Sequence, residues 1–216
     1  MKLVVFGASG GCGTWVVREA LDRGLAVTAV VRPGSEHCLP GAATSAVGSV
    51  LDPDFVRRQV TGHDAVLSCL GLRRRSVVPW SKLLSPPDLV ERFTRHLASA
   101  LDESPIRRVL WISAGGVGDS HDRATRSIQA MIRAGHVGTA YADLNRAEAI
   151  MPEGDDRWLA VRPVTLTGGP PTGRAAPVDR YGLLSTIRRS DVASWMLDVA
   201  QGRRGHETPT VLLGTR

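Results

Sequence analysis

Met1-Lys2-Leu3-Val4-Val5-Phe6-Gly7-Ala8-Ser9-Gly10-Gly11-Cys12-Gly13-Thr14-Trp15-Val16-Val17 opens the chain, and its reading decides the fold. A short apolar run suited to a strand buried on both faces ends at Gly7. A helical pattern begins just past Gly13, with Trp15, Val16, Ala20 and Leu21 at core-facing intervals. Gly7, Gly10 and Gly13 recur every third residue in the turn between them. That spacing lets the backbone turn sharply, approach a ligand closely and pack helix on strand where a Cβ would clash. N–H groups at the helix start then face outward with the positive end of the helix dipole, and a diphosphate is the ligand they suit. Glycines alone would say little; their place after a strand and before a helix is the context that dinucleotide binding requires.

Composition bounds the rest. The 216 residues suffice for one α/β domain and are too few for two of ordinary size, so a single domain over residues 1–216 is expected. Hydrophobic content of 43% and charged content of 22% are ordinary for a globular protein, and no apolar run is long enough to cross a bilayer. The opening apolar run breaks into glycines too early for a secretory signal, so a cytoplasmic chain without a membrane partner is expected. Cys12, Cys38 and Cys69 are odd in number and lack zinc-like spacing, which points to neither a disulfide framework nor a metal site. Cys12 lies in the glycine turn, where a helix N-terminus can lower a thiol pKa; the alternative is a small residue that simply fits. A net charge of +6 favours an anionic ligand, and it would also suit nonspecific nucleic-acid contact. No recognition motif accompanies that charge, so nucleic acid is not expected as a partner.

Further strands are predicted at 26–31, weakly at 43–48, then at 64–71, 109–113, 158–163 and 210–213. Helices are predicted over Pro53 to Val60, Pro86 to Ser104 and Gly138 to Met151, and one over Ser190 to Ala200 opens with Ser190 as its cap. This alternation makes a Rossmann-like, doubly wound α/β fold with a mainly parallel sheet. Arg32 follows the second strand, where an arginine meets the 2′-phosphate of NADP and a carboxylate would accept from the ribose of NAD. No acid appears until Glu36, so NADP(H) is preferred to NAD(H), unless Arg32 is only a solvated loop residue. Arg73-Arg74-Arg75 either draws phosphates to the cleft or is a solvated loop. The turn-rich stretch Thr165 to Gly173 is expected to shape the mouth for a small-molecule substrate. Gly71, Gly115, Gly116, Gly168 and Gly169 are expected to leave that mouth open.

Phe6-Gly7-Ala8-Ser9-Gly10 with Gly13, Val31-Arg32, Asp64-Ala65-Val66 with Leu70-Gly71, Trp111-Ile112-Ser113, Arg162-Pro163 with Leu166-Thr167-Gly168, and Arg189-Ser190-Asp191-Val192-Ala193 together resemble the atypical short-chain dehydrogenase/reductase family. Within it, the chain is similar to NAD(P)H-binding proteins of the NmrA-like and flavin reductase/biliverdin reductase B type. The resemblance runs from residue 2 to about residue 213. It implies cofactor contacts from Gly7, Ser9, Gly10, Gly11, Cys12 and Gly13, from Arg32, Leu51 and Asp52, from Leu70 and Gly71, and from Ser113, Pro163, Val164 and Leu166. Asp52 has two compatible readings, a hydrogen bond to the adenine amino group and a cap on the helix that follows it.

The family's catalytic pattern pairs a serine with Tyr-x-x-x-Lys, which maps Ser113 and Tyr141 as the catalytic pair. Asn145 stands in the lysine's place, and Arg146 is turned about 100° round the helix. Tyr141 is therefore expected to keep an ordinary tyrosine pKa of about 10 and to be a poor base at neutral pH. The resemblance implies an NADPH-dependent oxidoreductase that reduces a planar conjugated acceptor of flavin, quinone or tetrapyrrole type, for which solvent can supply the proton. The alternative is a non-catalytic, NmrA-like sensor of the NADP(H) state.

Overall fold

The computed structural model describes residues 1–35, 39, 42–73, 75, 81–102, 104–133 and 135–216. Glu36, Cys38 and Arg74 lie outside the described residues. In chain order the elements are β1 (Lys2–Phe6), α1 (Gly13–Asp22), β2 (Ala26–Val31), β3 (Thr44–Val47), α2 (Pro53–Val60), β4 (Ala65–Ser68) and α3 (Leu89–Leu101). There follow β5 (Arg108–Ile112), a 3-10 turn (Gly118–His121), α4 (Arg126–Ile132), α5 (Gly135–Glu148), β6 (Trp158–Pro163), β7 (Thr165–Thr167), β8 (Ala175–Pro177), β9 (Thr186–Arg188), α6 (Arg189–Ala200) and β10 (Thr210–Thr215). The main sheet runs β3-β2-β1-β4-β5-β6-β10-β8. Every pairing in it is parallel except that of β10 with β8.

Apolar side chains explain why the central strands read as unbroken hydrophobic runs: the sheet is covered on both faces. Leu3 and Val5 of β1 pack with α1 and α6 residues such as Val16, Val192 and Met196. Val4 and Phe6 turn to the other face, among Val56 of α2, Phe93 of α3 and Leu144 of α5. Phe6 and Phe93 stack at a tilt, ring centroids 4.8 Å apart, which ties β1 to α3. No helix among the described residues is long and apolar enough to cross a membrane.

The sequence expectations need four adjustments. Val17 joins Val16 and Ala20 among the buried residues of α1, while Trp15 and Leu21 pack against the core only partly buried, Trp15 beneath the Arg18 guanidinium, 5.3 Å from the ring centre. The 3-10 turn and α4 have periods too short to stand out in the sequence. The stretch from Thr165 is partly a strand: β7 pairs in parallel with β9 in a separate two-stranded sheet. Ser190 does not cap α6; it lies inside the helix and its hydroxyl donates to the Gly169 carbonyl. Ser190 and its neighbour Asp191 instead hold the loop after β7, because the buried Asp191 carboxylate accepts from the Thr172 N–H and hydroxyl and from the Gly173 N–H.

Candidate cofactor and active site

β1 lies between β2 and β4, so the chain leaves it first to one side and then to the other, and a crevice opens at this change of direction above the C-terminal strand ends. Gly7 forms the turn there with φ of +74°, and a Cβ on it would sit 2.9 Å from the Cys69 backbone. A Cβ at Gly13 would run into the Gly7 carbonyl oxygen, so both positions exclude any side chain. Gly10 N–H donates to Gly7 O and Thr14 N–H to Gly10 O, whereas the N–H groups of Gly11, Cys12 and Gly13 have no backbone partner among the described residues. No acidic residue stands in the first turn of α1 to compete for them. Three free donors at the positive end of a helix fit a diphosphate.

A cavity of about 650 Å³ spreads from this turn and is lined by Gly7, Ser9, Gly10 and Gly11 after β1, Arg32 after β2, Gly48 to Leu51 after β3 and Cys69 to Arg73 after β4. Leu84, Ser85, Pro86 and Leu89, at and before the start of α3, complete its lining. Its volume is that of a drug-sized or nucleotide site. Its lining includes the apolar residues Val50, Leu51, Leu70, Leu72, Leu84 and Leu89, the kind of surface a flat heterocycle packs against. No carboxylate lines it, and its charged lining groups are Arg32 and Arg73, both exposed and neither in an ion pair among the described residues. Of the arginine run, Arg73 thus belongs to the cleft, a role that its sequence left open.

Asp52 is the cap of α2, its Oδ1 accepting from the N–H groups of Asp54 and Phe55, and it lies just outside the cavity lining. Cys12 is also outside that lining; burial pushes its thiol up to about 11, against a weaker pull from the Arg189 guanidinium. Burial thus outweighs any lowering by the helix N-terminus, which favours the small-residue reading over an activated thiol.

Ser113, Pro163 and Val164 stand at the C-terminal ends of β5 and β6, on the same sheet edge, but neither they nor Leu166 and Tyr141 border the cavity. Gly115 and Gly116, expected to hold the mouth open, are buried instead. A Cβ on Gly116 would meet Ile132, Tyr141 and Tyr181, and one on Gly115 would come within 3.3 Å of Tyr181. Gly71 and Gly168 do face open space.

The two expected catalytic hydroxyls are both committed as donors. Ser113 Oγ donates to Glu148 Oε1 at 2.6 Å, and Tyr141 OH donates to the Gly115 carbonyl at 3.0 Å. Glu148 in turn receives the Arg162 guanidinium, which also reaches Asp119. Side chains of Arg162 and Glu148 are only 5% and 10% exposed, so the ion pair is a buried one. Asn145 occupies the lysine position as a backbone tie, with its amide donating to Tyr141 O and its carbonyl accepting from Gly118 N–H. Glu148, Asp119 and Arg162 were not expected in this place. The signal for Arg162 was legible all the same: a charge within the apolar run Trp158 to Pro163 requires a buried partner.

A family model for NAD(P)H-binding proteins matches residues 7–202. Among solved structures, an anaerobilin reductase from Escherichia coli O157:H7 superposes with a TM-score of 0.77 at 20% identity, covering 99% of this chain and 96% of that one. A candidate NADH-flavin reductase from Streptococcus pneumoniae TIGR4 gives a TM-score of 0.75 at 21% identity, with 100% of both chains covered. A short-chain dehydrogenase/reductase from Veillonella parvula DSM 2008, solved with NADP, gives 0.75 at 14% identity over 99% of this chain and 94% of that one. At such identities the superpositions establish a common fold, the Rossmann-like one read from the sequence.

Proposed function

The chain belongs to the NAD(P)H-binding family, and on that premise we propose that it is an oxidoreductase that uses NADPH to reduce a planar conjugated acceptor of flavin, quinone or tetrapyrrole type. When bound, the nicotinamide supplies a hydride. The glycine turn holds the diphosphate, Leu51 and Leu70 flank the adenine, and Arg32 with Arg73 meets the 2′-phosphate in a cleft with no carboxylate to repel it.

The observation that carries the choice of acceptor is the direction of the two hydroxyl protons. Ser113 has a single O–H, and it points to the acceptor-only Glu148 carboxylate; Tyr141 points to a backbone carbonyl. Each of the two hydroxyl protons is thus spent on an acceptor within the protein. Acceptors that draw their proton from solvent suit such a site, whereas a simple ketone, which needs a hydroxyl donor, does not. The reductases named among the structural neighbours support the same class of reaction. Mixing purified protein and NADPH with a panel of flavins, quinones and linear tetrapyrroles tests the reading: loss of NADPH absorbance is expected with at least one.

A second reading is favoured by the close packing of Gly115 and Gly116, expected to leave an open mouth, against Tyr181, with Ile132 and Tyr141 also at Gly116. A non-catalytic sensor would need no mouth there. Binding of NADP and NADPH with unequal affinity, without turnover on the panel, would favour it.

A further inference from the structure

Arg189, the first residue of α6, lies against Gly11 of the glycine turn although the two are 178 residues apart in the chain. An ideal Cβ on Gly11 would be 3.1 Å from Arg189 Nε and 3.2 Å from its Cδ, so the guanidinium stem rests on the Gly11 backbone itself. The same charge acts on the Cys12 thiol. Arg189 is half-buried, and among the described residues it has neither an ion pair nor a hydrogen bond from its guanidinium. Among the other arginines that are not exposed, Arg23 is paired with Glu19 and Asp198, Arg157 with Asp155, and Arg162 with Glu148 and Asp119, while Arg108 and Arg188 each donate to a backbone carbonyl. An unmatched, partly desolvated guanidinium beside three free N–H donors is poised for an anion.

The placement is held from a distance. α1 and α6 run side by side in the same direction, and their far ends are stapled by Arg23, whose guanidinium donates to Asp198, Gln201 and Ser194 of the α6 end and to Glu19. That staple sets the register in which the two N-termini, and Arg189 between them, meet at Gly11. We propose that Arg189 is a diphosphate-binding residue, closing on the cofactor's diphosphate from the α6 side while the glycine turn holds it from the α1 side. Because Ser190 and Asp191 pin the loop after β7, the same contact joins the diphosphate to the segment at the substrate side.

The proposal rests on the cofactor reading above and is tested by binding rather than turnover. Affinities of the unsubstituted chain, Arg189→Gln and Arg189→Lys are measured by calorimetry for NADPH, NADH and ADP-ribose, with Arg32→Ala as comparison. Arg189→Gln is expected to weaken all three ligands by a common factor of roughly 10 to 100, the loss of one charged hydrogen-bonding group. Arg189→Lys should restore part of it, since a point charge replaces a planar fork. An unchanged affinity in Arg189→Gln, or a loss confined to NADPH, would overturn the proposal. Equal thermal melting of the variants separates a lost contact from lost α1–α6 packing, and weakening that tracked a fall in melting temperature would also count against it. If the unsubstituted chain bound none of the three ligands, the cofactor reading itself would fall, a result distinct from the others.

Discussion

Arg32 and Tyr141 are the residues on which single substitutions speak most directly. Arg32 lines the cleft, exposed and without an ion pair, so its removal leaves no buried partner stranded. Arg32→Ala is expected to weaken NADPH by about 1.5–3 kcal/mol, the worth of a charged hydrogen bond, and to leave NADH nearly unchanged. Titration of both cofactors checks this, and an equal loss for both would reject the assignment. Tyr141 spends its proton on Gly115 O, so Tyr141→Phe should keep most of the kcat with a flavin-type acceptor. A fall of several powers of ten would reveal an acid-base tyrosine that operates without the lysine. Ser113→Ala is a harsher change, because it strips a hydrogen bond from a Glu148 carboxylate that is also paired to the buried Arg162. Its effect should appear in stability as well as in kinetics.

α3 and α5 illustrate how one element completes another. The N-terminus of α3 has no cap from its own Asp88. Asp143 of α5 supplies it, fully buried, with its two carboxylate oxygens accepting from the N–H groups of Val90 and Glu91. In the sequence Asp143 is one polar residue of a helix; only the packing of α5 on α3 makes it a cap. Asp143→Ala should destabilise the chain by about 1–2 kcal/mol, as the loss of a helix cap does, with urea unfolding as the measurement. Arg146 binds α5 to α3 a second time through Glu91, at 2.6 Å on an exposed face where such a pair adds little.

Acid should undo the molecule through its carboxylates. Asp119, Glu91 and Asp155 are held below the usual carboxylate range, chiefly by hydrogen bonds from Arg162, Arg146 and Arg157 respectively. They ionise more readily folded than unfolded, so the stability they add is complete above about pH 4, where unfolded carboxylates titrate, and is lost as pH falls through their lower folded values. Asp143 works the opposite way: burial raises it, so its linkage weakens the fold slightly as pH rises from about 4 through its raised value. With three groups against one, the urea midpoint should fall below about pH 4. A midpoint that held constant there would contradict the assigned pairings.

The strand, glycine turn and helix at residues 2–22 were legible in the sequence because their requirements are local: apolar period, backbone sterics and three glycines in fixed spacing. The same holds for β2, α2 and β6, whose predicted bounds coincide with the observed ones, and with them came the fold and the family. Partners across the chain were not legible. Ser113 meets Glu148 at a separation of 35 residues, Arg162 meets Asp119 at 43, and Arg189 comes to Gly11 through the register of two helices. A sequence states which groups bury charge or offer a proton, but the direction in which each proton points depends on how distant elements pack, and only the tertiary structure fixes that.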